Sequence, residues 1–154
     1  MSVLTQSAQE GFNFQKKIKF SDFTETVSGT EEVITCFTIP KDSIVDKVAF
    51  YLVEAFDGAS STDLTVEIGD DDDDNGFVAA TIIHLDATEV SSAINSGAYF
   101  NDGTTDNTVN GKVYDNAATK SLTATFNPTG DSLTDLTAGT ILIKANIIDL
   151  SVEI

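Results

Sequence analysis

Asp71, Asp73 and Asn75 stand at alternate positions and are followed by Gly76. Side-chain oxygens at alternate positions, with a glycine at the sharp turn, are what the ligand shell of a hard cation needs, and the spacing matches the first half of a calcium loop. The second half of that pattern is missing. Ile82 stands where the bidentate glutamate belongs, and Ala79 offers no carboxylate. A calcium ion held by Asp71, Asp73 and Asn75 would need Asp57, Asp63 or another subunit to complete its shell. The plainer reading of the run Asp70–Asp74 is a solvated acidic hairpin loop that repels strand edges, and a basic partner docking there is a third reading. Apart from this calcium candidate the sequence calls for no cofactor.

Other reactive side chains form no chemical constellation. His84 is the single histidine and follows Ile82 and Ile83 in an apolar run. One histidine without cysteine ligands does not make a zinc site, and no Gly-x-Ser-x-Gly elbow accompanies it. A packed or edge-exposed histidine is expected. Cys36 is the lone cysteine, inside Val33-Ile34-Thr35-Cys36-Phe37, so a buried core thiol is expected and a disulfide framework is excluded. Acid pairs such as Glu31-Glu32 are too common here to mark a catalytic dyad. The glycines fall in turn clusters, not in phosphate-loop spacing. Tyr51, Tyr99, Phe100 and Tyr114 could meet a carbohydrate or a protein, although core packing is the commoner role for aromatic residues in strands. The chain therefore reads as no enzyme.

Charge narrows the partners. There are 25 acids against 8 bases, every base is lysine, and the net charge is −17. Such a chain repels nucleic-acid phosphates and anionic membrane surfaces, and it lacks the arginines that read phosphate and guanine. Neither nucleic acid nor membrane is expected as a partner. The N-terminus has no basic region followed by an apolar one, and no apolar run approaches a membrane span. Synthesis in a cytoplasm without a signal peptide is the expectation.

The elements that must carry these residues are strands. Threonine, valine and isoleucine are abundant and favour extended backbone. Residues 16–20 read as a lysine-bearing edge strand, and Val27-Ser-Gly-Thr as a turn. Strands are expected at 32–39, 44–56, 64–68, 77–85, 112–114 and 121–126, with Asn127-Pro128-Thr-Gly130 as a turn. Residues 140–154 are expected to form a long closing strand, with a bulge or burial on both faces suggested by the adjacent Ile147 and Ile148. Asp86–Asn95 is the one helical candidate, because Asp86 and Glu89 have capping-box spacing and Val90, Ala93 and Ile94 would share a face. About eight short strands with at most one short helix predict an all-β fold, an antiparallel, jelly-roll-like β-sandwich. At 154 residues the chain fits a single domain over 15–154, preceded by an extended arm over 1–14.

The order of these segments resembles a group of small tailed-bacteriophage structural proteins. The resemblance rests on an Ile-Pro strand end, the strand Val-Asp-Lys-Val-Ala-Phe-Tyr, and the turn Ala55-Phe56-Asp57-Gly58. It continues through Leu64 to Phe77 and the closing Leu136 to Ile141, and covers about residues 37 to 150. It implies a virion component, foremost a capsid decoration (cement) protein on the outer capsid surface, partnered by the major capsid protein or another virion protein and forming a homo-oligomer on the particle. Tail, collar or fibre parts share such sandwiches. The polyaspartate loop departs from the group, so no binding residue is carried over. A calcium-dependent or carbohydrate-binding β-sandwich module is the competing expectation.

Overall fold

The computed structural model describes residues 11–58, 62–85, 89–100, 111–115 and 118–151. Among them the chain forms nine strands in two antiparallel sheets. They are β1 (Phe14–Lys19), β2 (Glu32–Ile39), β3 (Ser43–Asp57), β4 (Asp63–Gly69), β5 (Val78–Ile82), β6 (Ser92–Ile94), β7 (Lys112–Tyr114), β8 (Lys120–Thr129) and β9 (Ala138–Asp149). Sheet A has the order β1-β9-β3-β6, with β7 beside the start of β3, and sheet B has the order β2-β8-β4-β5.

This order is that of a jelly roll. With β7 set aside, the first strand pairs the last (β1 with β9), the second pairs the next to last (β2 with β8), and β3–β6 and β4–β5 follow. One long antiparallel ribbon has been wound into two facing sheets. The expected jelly-roll-like sandwich is what the chain forms.

Alternation places the core between the sheets. Leu64, Val66 and Ile68 of β4, Leu122, Ala124 and Phe126 of β8, and Ile141, Ile143 and Ala145 of β9 are all buried. Phe23, Phe56 and Phe126 meet as a ring cluster with centroids 4.9 to 6.3 Å apart. Each fully buried phenylalanine contributes about 1.5–3 kcal/mol of transfer free energy, so these rings replace the absent tryptophan as core volume. Residues 1–10 of the expected arm lie outside the described residues. Beyond them, Phe12 is buried under the Lys47 ammonium, and Asn13 exchanges hydrogen bonds with the Ile147 backbone at 2.7 and 2.9 Å.

Three expectations need correction. Where the helix was expected, Ser92–Ile94 instead pair with Ala49–Tyr51 as β6, and residues 86–88 lie outside the described residues. The open edge of β3 offered backbone partners, and the Val48 N–H also donates to the Asn95 side chain at 2.9 Å; pairing outweighed a weak capping signal. The turn at 127–130 starts later, because β8 runs through Pro128 opposite Leu64. Proline is tolerated there because the β2 pairing ends at Phe126, so that side of the strand needs no donor. Finally, the bulge belongs to β3, not to β9. Pairing slips between Val45 and Lys47, while β9 alternates without a break and leaves Ile147 inward and Ile148 outward. Ser151 is the last described residue beyond β9, and residues 152–154 lie outside.

Candidate functional site

β4 buries Leu64, Val66 and Ile68 and then runs out at Gly69, where the chain must turn sharply. The Asp70 N–H donates to the Asp73 carbonyl at 2.9 Å, folding the aspartate run back over the strand end. A Cβ on Gly69 would overlap that carbonyl, so glycine is required for the close approach. The fold-back points the Asp70 side chain inward, and it is 0% exposed.

The buried Asp70 carboxylate is a hub. Its Oδ1 accepts from the Asp72 and Asp73 backbone N–H groups at 2.9 and 3.0 Å and from the Tyr99 hydroxyl at 2.9 Å. Its Oδ2 accepts from the Lys112 ammonium at 2.8 Å and from the Tyr114 hydroxyl. Lys112 also donates to Asp72 and to the Tyr99 oxygen, and it lies over the rings of Tyr99 and Tyr114. Lys120, at the start of β8, closes the arrangement on Asp72 at 3.0 Å. A buried charge is tolerated only when its lone pairs are filled, and here they are.

The protonation states follow from these contacts. Burial works to raise the Asp70 pKa, but Lys112, Tyr114, the Asp72 backbone and Tyr99 together hold it below the ordinary carboxylate value. Lys112 and Lys120 also hold exposed Asp72 down. Burial works to lower the Lys112 pKa, but Asp70, Tyr99 and Asp72 raise it above its usual value. Burial and then Asp70 push the Tyr114 phenol well up, and burial pushes Tyr99 up to about 12. The carboxylates stay ionised, the ammonium stays charged and the phenols stay protonated at neutral pH. A general acid or base needs a pKa near the working pH, and no group of this hub has one. These contacts tie the aspartate loop to β7 and β8.

Asp71, Asp73 and Asn75 each make a contact of their own in and around the loop. The Asp71 carboxylate accepts from the Ser121 N–H at 2.9 Å, and the Asp73 carboxylate from the Asn75 N–H at 3.3 Å. The Asn75 side chain hydrogen-bonds Glu67. Asp63 opens β4 while the loop closes it, roughly 20 Å away along the strand. Asp57 accepts from the Gly58 N–H and also lies away from the loop. Among the described residues no three His, Cys, Asp or Glu side chains are arranged to hold a metal ion. The positive charge facing this loop comes from Lys112 and Lys120.

The sequence reading missed Asp70, Lys112 and Tyr114 as a unit. The available signal was the strand Lys112-Val113-Tyr114, in which the polar residues face inward and valine faces out, 53% exposed. A polar phase turned toward the core announces a buried polar partner. His84 is fully buried and forms an isolated parallel bridge with Phe56. Cys36 is half-buried, and burial pushes its thiol up to about 12. Among the described residues no helix is long and apolar enough to cross a membrane.

This places the chain among jelly-roll β-sandwiches, and a solved structure shares the arrangement. A chain of the "Cyanophage Pam1 capsid asymmetric unit" superposes with a TM-score of 0.56 at 15% sequence identity, covering 88% of this chain and 81% of that one. The likeness is one of fold. No family model matches the chain, and no curated protein matches it.

Proposed function

We propose that this chain is a non-enzymatic structural protein of a tailed-phage virion, a capsid decoration (cement) protein that stabilises the outer shell. The observation that carries the reading is the jelly roll shared, over most of both chains, with a chain of a phage capsid asymmetric unit. The turn and strand motifs from Ala55 to Phe77 support it independently. So does the hub, which fixes a surface loop and has no group poised for catalysis.

The charge suits such a role. A net charge of −17 keeps free subunits apart and soluble. Homo-oligomers then form on the particle, where the major capsid protein or another virion protein holds them in register. A stable free oligomer that is indifferent to salt would contradict this. The test is quantitative mass spectrometry of gradient-purified particles of the virus that encodes the chain. A copy number matching the shell lattice supports a cement protein, and a small fixed number moves the chain to tail, collar or fibre. Absence from the particle removes the virion reading. A calcium-dependent rise in melting temperature would then favour the calcium-binding module.

A further inference from the structure

The two outer faces of the sandwich differ in chemistry. Sheet A carries Lys16, Lys17 and Lys19 on β1, Lys47 on β3, Lys112 on β7 and Lys144 on β9, while the strands of sheet B carry Lys120 alone. Of the sheet A lysines, Lys112 turns inward to Asp70. Lys16 shares the inward phase of Ile18, and Lys144 is buried beneath the ring of Phe12, whereas Lys17 stands opposite outward-facing Leu142 and Lys47 lies over the ring of Phe12. The acids on the strands of this sheet are Asp46, whose carboxylate takes the Asn146 amide at 2.8 Å, Glu54 and Asp57 toward the far end of β3, and Asp149 at the end of β9. Sheet B ends in the aspartate loop, and its outer face carries Glu67 and the threonines 35, 65, 123 and 125.

Apolar exposure follows the same division. Cross-strand register places Val113 of β7, Ile44 of β3 and Ile148 of β9 side by side across sheet A. Val113 and Ile148 are exposed, and further along the face Ile94 stands exposed beside Ala49. Val113, Ile44 and Ile148 lie in adjacent strands about 5 Å apart, so this row forms a continuous patch rather than scattered single residues. On sheet B, exposed Val33 lies opposite Thr125 and has no such row.

We propose that the outer face of sheet A, along the row Val113–Ile44–Ile148 with Lys17 and Lys47 on the same face, is the docking surface of this chain. Its partner is a shell-protein surface that is itself acidic and partly apolar. This inference rests on the virion reading. Charge complementarity selects the partner, because this is the one sheet whose lysines are not outnumbered by acids, in a chain where acids prevail three to one overall. The desolvated row supplies the affinity and the lysines fix the register. Docked in this way, the chain turns sheet B and the aspartate loop toward solvent.

Hydroxyl-radical footprinting, comparing free protein with protein in gradient-purified particles, tests the assignment. The expected result is a several-fold loss of labelling at Val113 and Ile148, with Val33 labelled equally in both. Protection at Val33 with Val113 and Ile148 unchanged overturns the docking face and leaves the virion reading intact, whereas absence of the chain from particles removes both. As a second measurement, Val113→Glu/Ile148→Glu is expected to weaken rebinding to stripped particles by roughly tenfold or more, as loss of a buried anchor does. Val33→Glu is expected to rebind like the parent. Lys17→Glu changes only charge on a solvent-facing position and keeps the test open if the double variant unfolds. Unchanged binding by Lys17→Glu at low salt overturns the electrostatic half of the proposal.

Discussion

Glu67 and Asp70 belong to the same strand end and carry the same charge, yet the fold treats them in opposite ways. Asp70 is sealed from water, but Lys112, two tyrosines and two backbone N–H groups hold it ionised. Glu67 faces outward on sheet B. Burial and then its neighbours Asp74 and Glu31 raise its pKa, with only the Asn75 side chain acting the other way. The more deeply buried acid is the more comfortable one. What decides the energetics of a carboxylate here is the number of donors that reach it, not its depth.

The largest test of this contrast is Asp70→Ala. It leaves the Lys112 ammonium and the Tyr114 hydroxyl facing a void, and urea unfolding is expected to show a loss of about 3–5 kcal/mol. A loss below about 1 kcal/mol would put Asp70 in the same class as an exposed pair and end the contrast. The same difference has an acid-side signature. A carboxylate whose folded pKa is depressed adds stability that is present above its unfolded value of about 3.9 and is lost as pH falls through the lower folded value. Asp70→Asn is therefore expected to flatten the acid limb of the stability curve, as read from melting temperature against pH.

Tyr114→Phe removes one donor and keeps the packing. A hydrogen bond to a charged group contributes about 1.5–3 kcal/mol, and a loss in that range is expected in the same unfolding assay. Glu67→Gln should act with the opposite sign. A raised carboxylate pKa costs stability above the folded value, and that cost is relieved as pH falls through it, so neutralisation at pH 7 should stabilise by less than about 1 kcal/mol once solvent screening is allowed for. Added salt should narrow the gain; a gain that grows with salt would mean that Asp74 and Glu31 are not the cause. Lys120→Ala, which removes an exposed pair to Asp72, should have the smallest effect of all in the same unfolding assay.

The strands that sequence patterning resolved best were those with one wet face. In β4 every second residue faces the core, so alternation marked the element nearly to its ends, whereas a bulge between Thr35 and Phe37 breaks the alternation of β2. Patterning was weakest where pairing overrode local preference. Ser92–Ile94 became a strand because β3 is long enough, at 15 residues, to leave an open edge for them. The aspartate loop was legible as a loop, but its organisation was not. The calcium pattern begins at Asp71, so it excluded Asp70, which anchors the loop. The residues that hold Asp70 lie 29 to 44 positions further along. No local window contains that partnership.

The pairing of β1 with β9 has a consequence in time. Asn13 bonds a residue 134 positions later, and β9 is the central neighbour of both β1 and β3 in sheet A. Until Ala138–Asp149 has left the ribosome, β1 has no partner and β3 lacks its longest one. Contacts this distant in sequence form late and slowly. Sheet A therefore closes only after translation of β9, and a chain interrupted before Ala138 cannot close it at all. The last strand acts as a completeness check, so that a subunit able to present a finished outer face is one whose translation ran through β9.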